Sequence, residues 1–263
     1  MSAATAAPEA HARLSDDQLQ DMMKLIAGSD SVELKMTVDD AERRKAMQAL
    51  DMDPLNAQIR QVVFFDTPDL ALSKAGVVAR SRRVQNKGDD STIKLRPITP
   101  DDISRDLRAQ PGFVVEVDAM PGSYVCSASL TAALKQGDTR EVIKGERPIR
   151  KLFSKAQRAF YEDHAPAGLA LDDLSILGPI FVLKLKWAPE RFARPLVAEA
   201  WLYPDSSLML ELSTKTLPSQ TFQVAAETRA FLASHGISAT GGQDTKTRRA
   251  LQVFSKRLAE SQA

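Results

Sequence analysis

Glu33 and Lys35 stand two residues apart, and the same spacing of charge returns along the chain: Arg80 with Arg82, Lys94 with Arg96, Glu116 with Asp118, Lys184 with Lys186. Glu199 stands alone, and Glu211 and Lys215 lie an even four apart. Side chains of a strand alternate between its two faces, so each set shares one face. The residues between them are apolar: Val32, Leu34 and Met36, Ile93 and Leu95, Val115 and Val117, Phe181 to Trp187 in alternation, Leu208, Leu210 and Leu212. Cations and carboxylates facing one another across several strands would hold an anion together with a metal.

The apolar faces need burial, which helices packed outside the sheet would supply. The charged faces then turn inward. A barrel of eight strands fills its interior with side chains or holds one small ligand. This interior would carry eight cations (Lys35, Arg80, Arg82, Lys94, Arg96, Lys184, Lys186, Lys215) against five acids (Glu33, Glu116, Asp118, Glu199, Glu211). An excess of three positive charges inside a barrel must be solvated or matched by a polyanion.

The elements that position these residues are legible in outline. Ser15-Asp16-Asp17-Gln18 opens a helix that Gly28 stops, and 39–50 has helical spacing. Strands are expected over 32–38, 58–66, 77–84, 91–96 and 113–119, with Thr67-Pro68-Asp69, Asn86 to Asp90, Pro97 and Pro121-Gly122 as breaks. Residues 123–179 read as a helical insertion, since 130–134 and 149–161 have helical spacing and strand alternation resumes only at Phe181. Strands at 180–187, 196–203 and 208–215 complete eight, and helices over 222–235 and 245–258 close the chain. The expected class is α+β: an eight-stranded antiparallel barrel over 29–220, preceded by a tail and short helix over 1–28 and followed by helices over 221–263.

Composition narrows the function classes. A formal net charge of +1 exerts no global pull on nucleic acid or an anionic membrane. The one cysteine, Cys126, excludes an intramolecular disulfide and a cysteine-based zinc site, and it fits a reducing, cytoplasmic setting. No apolar run reaches the length of a membrane helix, and residues 1–13 read as a flexible tail without the features of a signal peptide. His11, His164 and His235 have no ligand spacing, and no phosphate-binding glycine loop or nucleophile elbow occurs.

The ordered pieces Val32-Glu33-Leu34-Lys35, Phe65-Asp66-Thr67-Pro68, Ala79-Arg80-Ser81-Arg82-Arg83, Ile93-Lys94-Leu95-Arg96, Glu116-Val117-Asp118, the acidic strand at Glu211 and Thr245-Lys246-Thr247 resemble the CYTH family, also called triphosphate tunnel metalloenzymes. The resemblance runs over roughly 30–250 and leaves out 123–179. It implies an eight-stranded antiparallel tunnel that takes a small triphosphate with Mg²⁺ or Mn²⁺ and hydrolyses it, or cyclises ATP. Carried onto this chain, Lys35, Arg80, Arg82, Lys94, Arg96, Lys184, Lys186 and Lys246 would bind phosphates. Glu33, Glu199 and Glu211 would hold the metal, and Glu116 and Asp118 a second metal or a water.

Two positions depart from the pattern: Ser31 and Ser213 stand where the family has acids. Both losses fall on expected metal ligands, which keeps open a module that binds a triphosphate without efficient turnover. Other readings compete at single residues. The paired charges could form a solvated outer face, Glu116 and Asp118 could be salt-bridge partners of the arginines, and Lys155 with Arg158 could replace Lys184 with Lys186. Lys246 could belong with Arg248 and Arg249 to an ordinary charged helix face.

Overall fold

A computed structural model describes residues 15–237 and 245–262; the tail over 1–13, with His11, lies outside the described residues. Nine strands run through it: β1 Ser31–Val38, β2 Gln58–Asp66, β3 Val77–Val84, β4 Asp90–Leu95, β5 Phe113–Met120, β6 Ser123–Ala133, β7 Ser175–Trp187, β8 Leu196–Leu202 and β9 Leu208–Thr216. They close into a barrel in the order β1-β5-β6-β4-β3-β2-β7-β8-β9. Every neighbouring pair is antiparallel except β1 with β5, which run parallel.

The ninth strand corrects the expected insertion. β6 returns from β5 through the Pro121-Gly122 turn, with Met120 opposite Ser123, and then pairs with β4. Its inward residues Ser127, Ser129 and Thr131 carry no charge, so the pattern that marked the other strands is missing here. Their small size has a packing reason: Ser127 lies opposite Glu116 and Ser129 opposite Lys94, which leaves the barrel space to the longer neighbours. Gly112, at φ +82°, admits β5 beside β6, since a Cβ there would stand 2.2 Å from the Thr131 carbonyl oxygen.

Among the described residues the α-helices are α1 Asp16–Ala27, α2 Arg43–Ala49, α3 Ala71–Lys74, α4 Arg105–Arg108, α5 Asp138–Ile143, α6 Lys155–Glu162, α7 Thr221–Ser234 and α8 Lys246–Gln262. α1 begins with the expected capping box: the Gln18 amide donates to Ser15 Oγ at 3.2 Å and the Ser15 amide to Gln18 Oε1 at 2.9 Å. Of the former insertion only α5, α6 and short 3₁₀ turns are helical. α6 is pinned to the barrel by buried Gln157, which donates to the Ser91 and Leu130 carbonyls at 3.0 and 2.9 Å. Asp66 is architectural as well, accepting from the amides of Thr67, Leu72 and Ser73 and so shaping the turn into α3.

The core lies mostly outside the barrel. One cluster joins Val32, Val63, Ile93, Val115 and Val117 to Leu152, Phe153 and Phe160 of the connecting segment and its helix. A second joins Met36, Leu210 and Leu212 to Ala46 of α2 and Phe231 and Leu232 of α7. A third plugs one end of the barrel, where Val62, Phe64, Val182, Trp201 and Met209 meet Ala250 and Leu251 of α8. Helices do not cover the whole outer surface: Phe181, opposite Gln61 on β2 and Leu202 on β8, is half exposed, and Ile59 and Leu202 are nearly as open.

Candidate active site

The barrel encloses a cavity of about 330 Å³. Its walls carry nine cations (Lys35, Arg60, Arg80, Arg82, Lys94, Arg96, Lys184, Lys215, Lys246) and five carboxylates (Glu33, Glu116, Asp118, Glu199, Glu211). The tunnel therefore gathers all the expected charges except Lys186. That residue keeps the inward parity, but it sits at the rim opposite Val197 and is exposed. Lys155 and Arg158 belong to α6, so the strand role falls to Lys184. Arg60 is the charge that sequence reading missed: a single arginine in the apolar β2, two residues from inward Val62, with no charged partner at strand spacing to reveal it.

The parallel pairing of β1 with β5 builds an acidic corner. It sets Ser31 opposite Glu116 and Glu33 opposite Asp118. One oxygen from each of Glu33, Glu116 and Asp118 lies within 4.8 Å of the others. Asp118 is fully buried and ringed by cations, with Lys35 Nζ at 2.7 Å, Lys94 Nζ at 3.6 Å and Arg96 in contact. Lys35 also reaches Glu33 at 3.1 Å, and Lys215 pairs with Glu116. The two serines that replace acids complete the corner. Ser31 Oγ donates to Glu116 Oε2 at 3.2 Å, and Ser213 Oγ donates to Glu33 Oε1 at 3.0 Å.

These contacts decide the ionisation. Burial pushes the Asp118 carboxyl upward, but Lys35, Lys94 and Arg96 outweigh it and hold the group far below the ordinary carboxylate range. Glu33 is buried as well, yet Lys35 and Lys246 bring it down to about 2. Lys35 loses charge stability to burial and regains more from Asp118 and Glu33, so it stays protonated above the ordinary lysine range.

A second acidic pair stands on the neighbouring wall, where the register places Lys184, Glu199 and Glu211 side by side on β7, β8 and β9. Lys184 reaches Glu199 at 3.0 Å. Lys246, at the start of α8, contacts Glu199 and lies 2.6 Å from Glu211, with its ammonium 5.5 Å from the Trp201 ring centre. Trp201 Nε1 donates to Glu199 Oε2 at 3.3 Å. Burial alone would lower Lys246, but Glu199 and Glu211 raise it above its ordinary value. The expected ligand set of Glu33, Glu199 and Glu211 is thus divided. Among the described residues the one carboxylate trio close enough to share an ion is Glu33, Glu116 and Asp118.

Three arginines occupy another part of the wall. Arg82 has Asp90 at 2.8 Å, and among the described residues Arg60 donates only to Gln58 Oε1, at 2.9 and 3.1 Å. Arg80 has no carboxylate within ion-pair distance among the described residues, and its Nε is buried without a hydrogen-bond partner. Burial, helped by Arg82, brings Arg80 down to about 10, and burial brings Lys94 down to about 8. An unmatched buried guanidinium is costly, and a bound anion removes the cost.

No protein-family model and no curated relative matches the chain. Solved structures do. A candidate adenylate cyclase from Bacillus halodurans superposes with a TM-score of 0.58 at 13% identity, over 84% of this chain and 97% of its own. The candidate adenylyl cyclase HpAC1 from Hippeastrum, described as having a dominant triphosphatase activity, gives 0.58 at 15% identity over 83% and 94%. The chain shares the fold of these two proteins. At these identities the likeness extends to the fold, and the chemistry rests on the residues.

Within the tunnel the acidic corner offers oxygen donors alone, three carboxylates and two serine hydroxyls, with no histidine or thiol among them. That donor set suits a hard divalent cation. The alternating charges that sequence reading could also assign to a solvated outer face line the tunnel interior, and Lys246 faces inward with Thr245 and Thr247 beside it.

Proposed function

We propose that this chain binds a triphosphate within the tunnel and hydrolyses a phosphoanhydride bond of it with the help of Mg²⁺ or Mn²⁺, the substrate being inorganic triphosphate or a small organic triphosphate. The observation that carries the reading is Arg80, a half-buried inward side chain whose Nε is buried and unpartnered, among further cations from five other strands. A flexible polyanion with charge on every phosphoryl group can meet cations on several walls at once.

The residues divide by what holds them. Arg60 and Arg80 bind phosphoryl oxygens with little competition from carboxylates, and Arg82 does so while held by Asp90. Lys35, Lys94 and Arg96 are oriented by Asp118, whose low pKa and three cationic partners make it a poor proton acceptor and a good anchor. Glu116 is the acid best placed to orient an attacking water, since its partner Lys215 is largely exposed and free to leave. Glu33, Glu116 and Asp118 would hold the divalent ion, which supplies charge neutralisation to the phosphoryl group. Positioning and charge stabilisation then carry most of the catalysis, because phosphoryl transfer asks little covalent chemistry of a protein.

The triphosphatase activity described for HpAC1 favours hydrolysis over cyclisation. No described helix is long and apolar enough to cross a membrane, and Cys126 is a free buried thiol, which agrees with a cytoplasmic setting. Incubation of the pure protein with tripolyphosphate, thiamine triphosphate and ATP under Mg²⁺ or Mn²⁺, reading phosphate and cyclic AMP, tests the reading. Phosphate release from at least one compound is expected. Binding without turnover in every combination overturns hydrolysis, and cyclic AMP as the main product replaces it with cyclisation.

A further inference from the structure

Every carboxylate on the tunnel wall already has a protein cation against it. Glu33 has Lys35, Glu116 has Lys215, and Asp118 has three partners. Glu199 and Glu211, which face each other across β8 and β9, share the ammonium of Lys246. That ammonium is anchored from outside the barrel: the Lys246 carbonyl accepts from Tyr203 Oη at 3.1 Å, and Ala250 and Leu251 of the same helix are buried. Nine cations against five acids leave the empty tunnel strongly positive. A free divalent cation would have to enter a positive cavity and compete with the ammonium and guanidinium groups already paired with its carboxylates. A triphosphate relieves both terms, because it offsets the positive excess of the cavity and takes those cations as its own partners.

We infer that the metal enters this tunnel with or after the triphosphate and never ahead of it, the anion being the step that frees Glu33 and Glu116 as ligands. The inference rests on the triphosphate reading above and adds an order of assembly to it. The two serines belong to the same design, since Ser31 and Ser213 each hold a carboxylate by a neutral hydroxyl where another acid would have restored negative charge to the empty site.

Calorimetric titration of the wild-type chain with MnCl₂ alone, with a methylene-bridged triphosphate analogue in EDTA, and with analogue and Mn²⁺ together tests the order without relying on turnover. Mn²⁺ alone is expected to bind more weakly than about 1 mM. The analogue is expected to bind without metal, and Mn²⁺ to tighten that binding by about tenfold or more. Micromolar binding of Mn²⁺ alone, with the analogue also binding, overturns the order and leaves the triphosphate reading standing. An analogue that binds under neither condition overturns the triphosphate reading and this inference with it. Lys215→Ala, at a largely exposed side chain, gives a second measurement: it frees Glu116 and should strengthen binding of Mn²⁺ alone by about tenfold, whereas unchanged binding argues against ion pairing as the barrier.

Discussion

Ser213 Oγ donates a hydrogen bond of 3.0 Å to Glu33 Oε1, joining β9 to β1 across the closing seam of the barrel. A residue that looked like a lost metal ligand is the partner that orients a retained one. The hydroxyl keeps Glu33 in place while leaving the corner one negative charge poorer.

Restoring that charge is therefore informative. Ser213→Glu should let Mn²⁺ bind without triphosphate, tightening its affinity by about tenfold or more, roughly 1.4 kcal/mol, as read by calorimetry of the folded variant. Equal Mn²⁺ affinity in the two proteins would show that charge at this position does not limit the metal.

Arg80→Ala removes a cation with no carboxylate partner among the described residues, so no acid is left unpaired by its loss. Its circular dichroism and melting temperature should stay close to those of the wild type. Triphosphate affinity should fall by roughly 2–5 kcal/mol, the usual cost of deleting one member of a buried charge-assisted contact. An unchanged dissociation constant would place the anion elsewhere.

Asp118 tests the opposite dependence. Asp118→Asn keeps the shape and strands three cations, so the free chain should lose roughly 3–5 kcal/mol of stability, measured by urea unfolding. Glu33 adds a pH signature. Its folded pKa of about 2 lies below the ordinary 4.5, so its contribution is fully present above about pH 4.5 and is lost as pH falls towards 2. Asp118 acts in the same direction. The melting temperature should drop steeply over that window in the wild type and less steeply in Glu33→Gln.

Lys94 places the alkaline limit. Its pKa of about 8 lies below the ordinary 10.5, so the free chain loses this charge as pH rises through 8, while a bound polyanion favours the charged form. Triphosphate affinity should decline above pH 8, and binding at pH 8.5 should take up a proton, seen as a dependence of binding enthalpy on the ionisation enthalpy of the buffer. Lys94→Arg should abolish that uptake; uptake that persists would point to another group.

How legible the site was depended on charge parity. Paired charges two residues apart announced β1, β3, β4, β5 and β7, and their alternation placed all of them inside; the structure leaves out Lys186, which parity cannot distinguish from Lys184 because parity says nothing of where a strand leaves the barrel. β6 carried no charge to follow, and the spacing over 130–134 reads as helix until the hairpin at Pro121-Gly122 is seen to pair it with β5. Arg60 escaped notice for a related reason, as one charge in an apolar strand has no period.

The amino-acid sequence by itself determined which side chains share a face, since that follows from backbone geometry over neighbouring residues, and hence that a charged interior had to exist. Only the tertiary structure decided which charges meet. Glu33 faces Asp118 because β1 and β5 lie parallel in one particular register, and Lys246 stands between Glu199 and Glu211 because a helix at the end of the chain packs over the barrel. Those contacts join residues tens of positions apart, where local periodicity carries no information and closure of the whole sheet sets the distances.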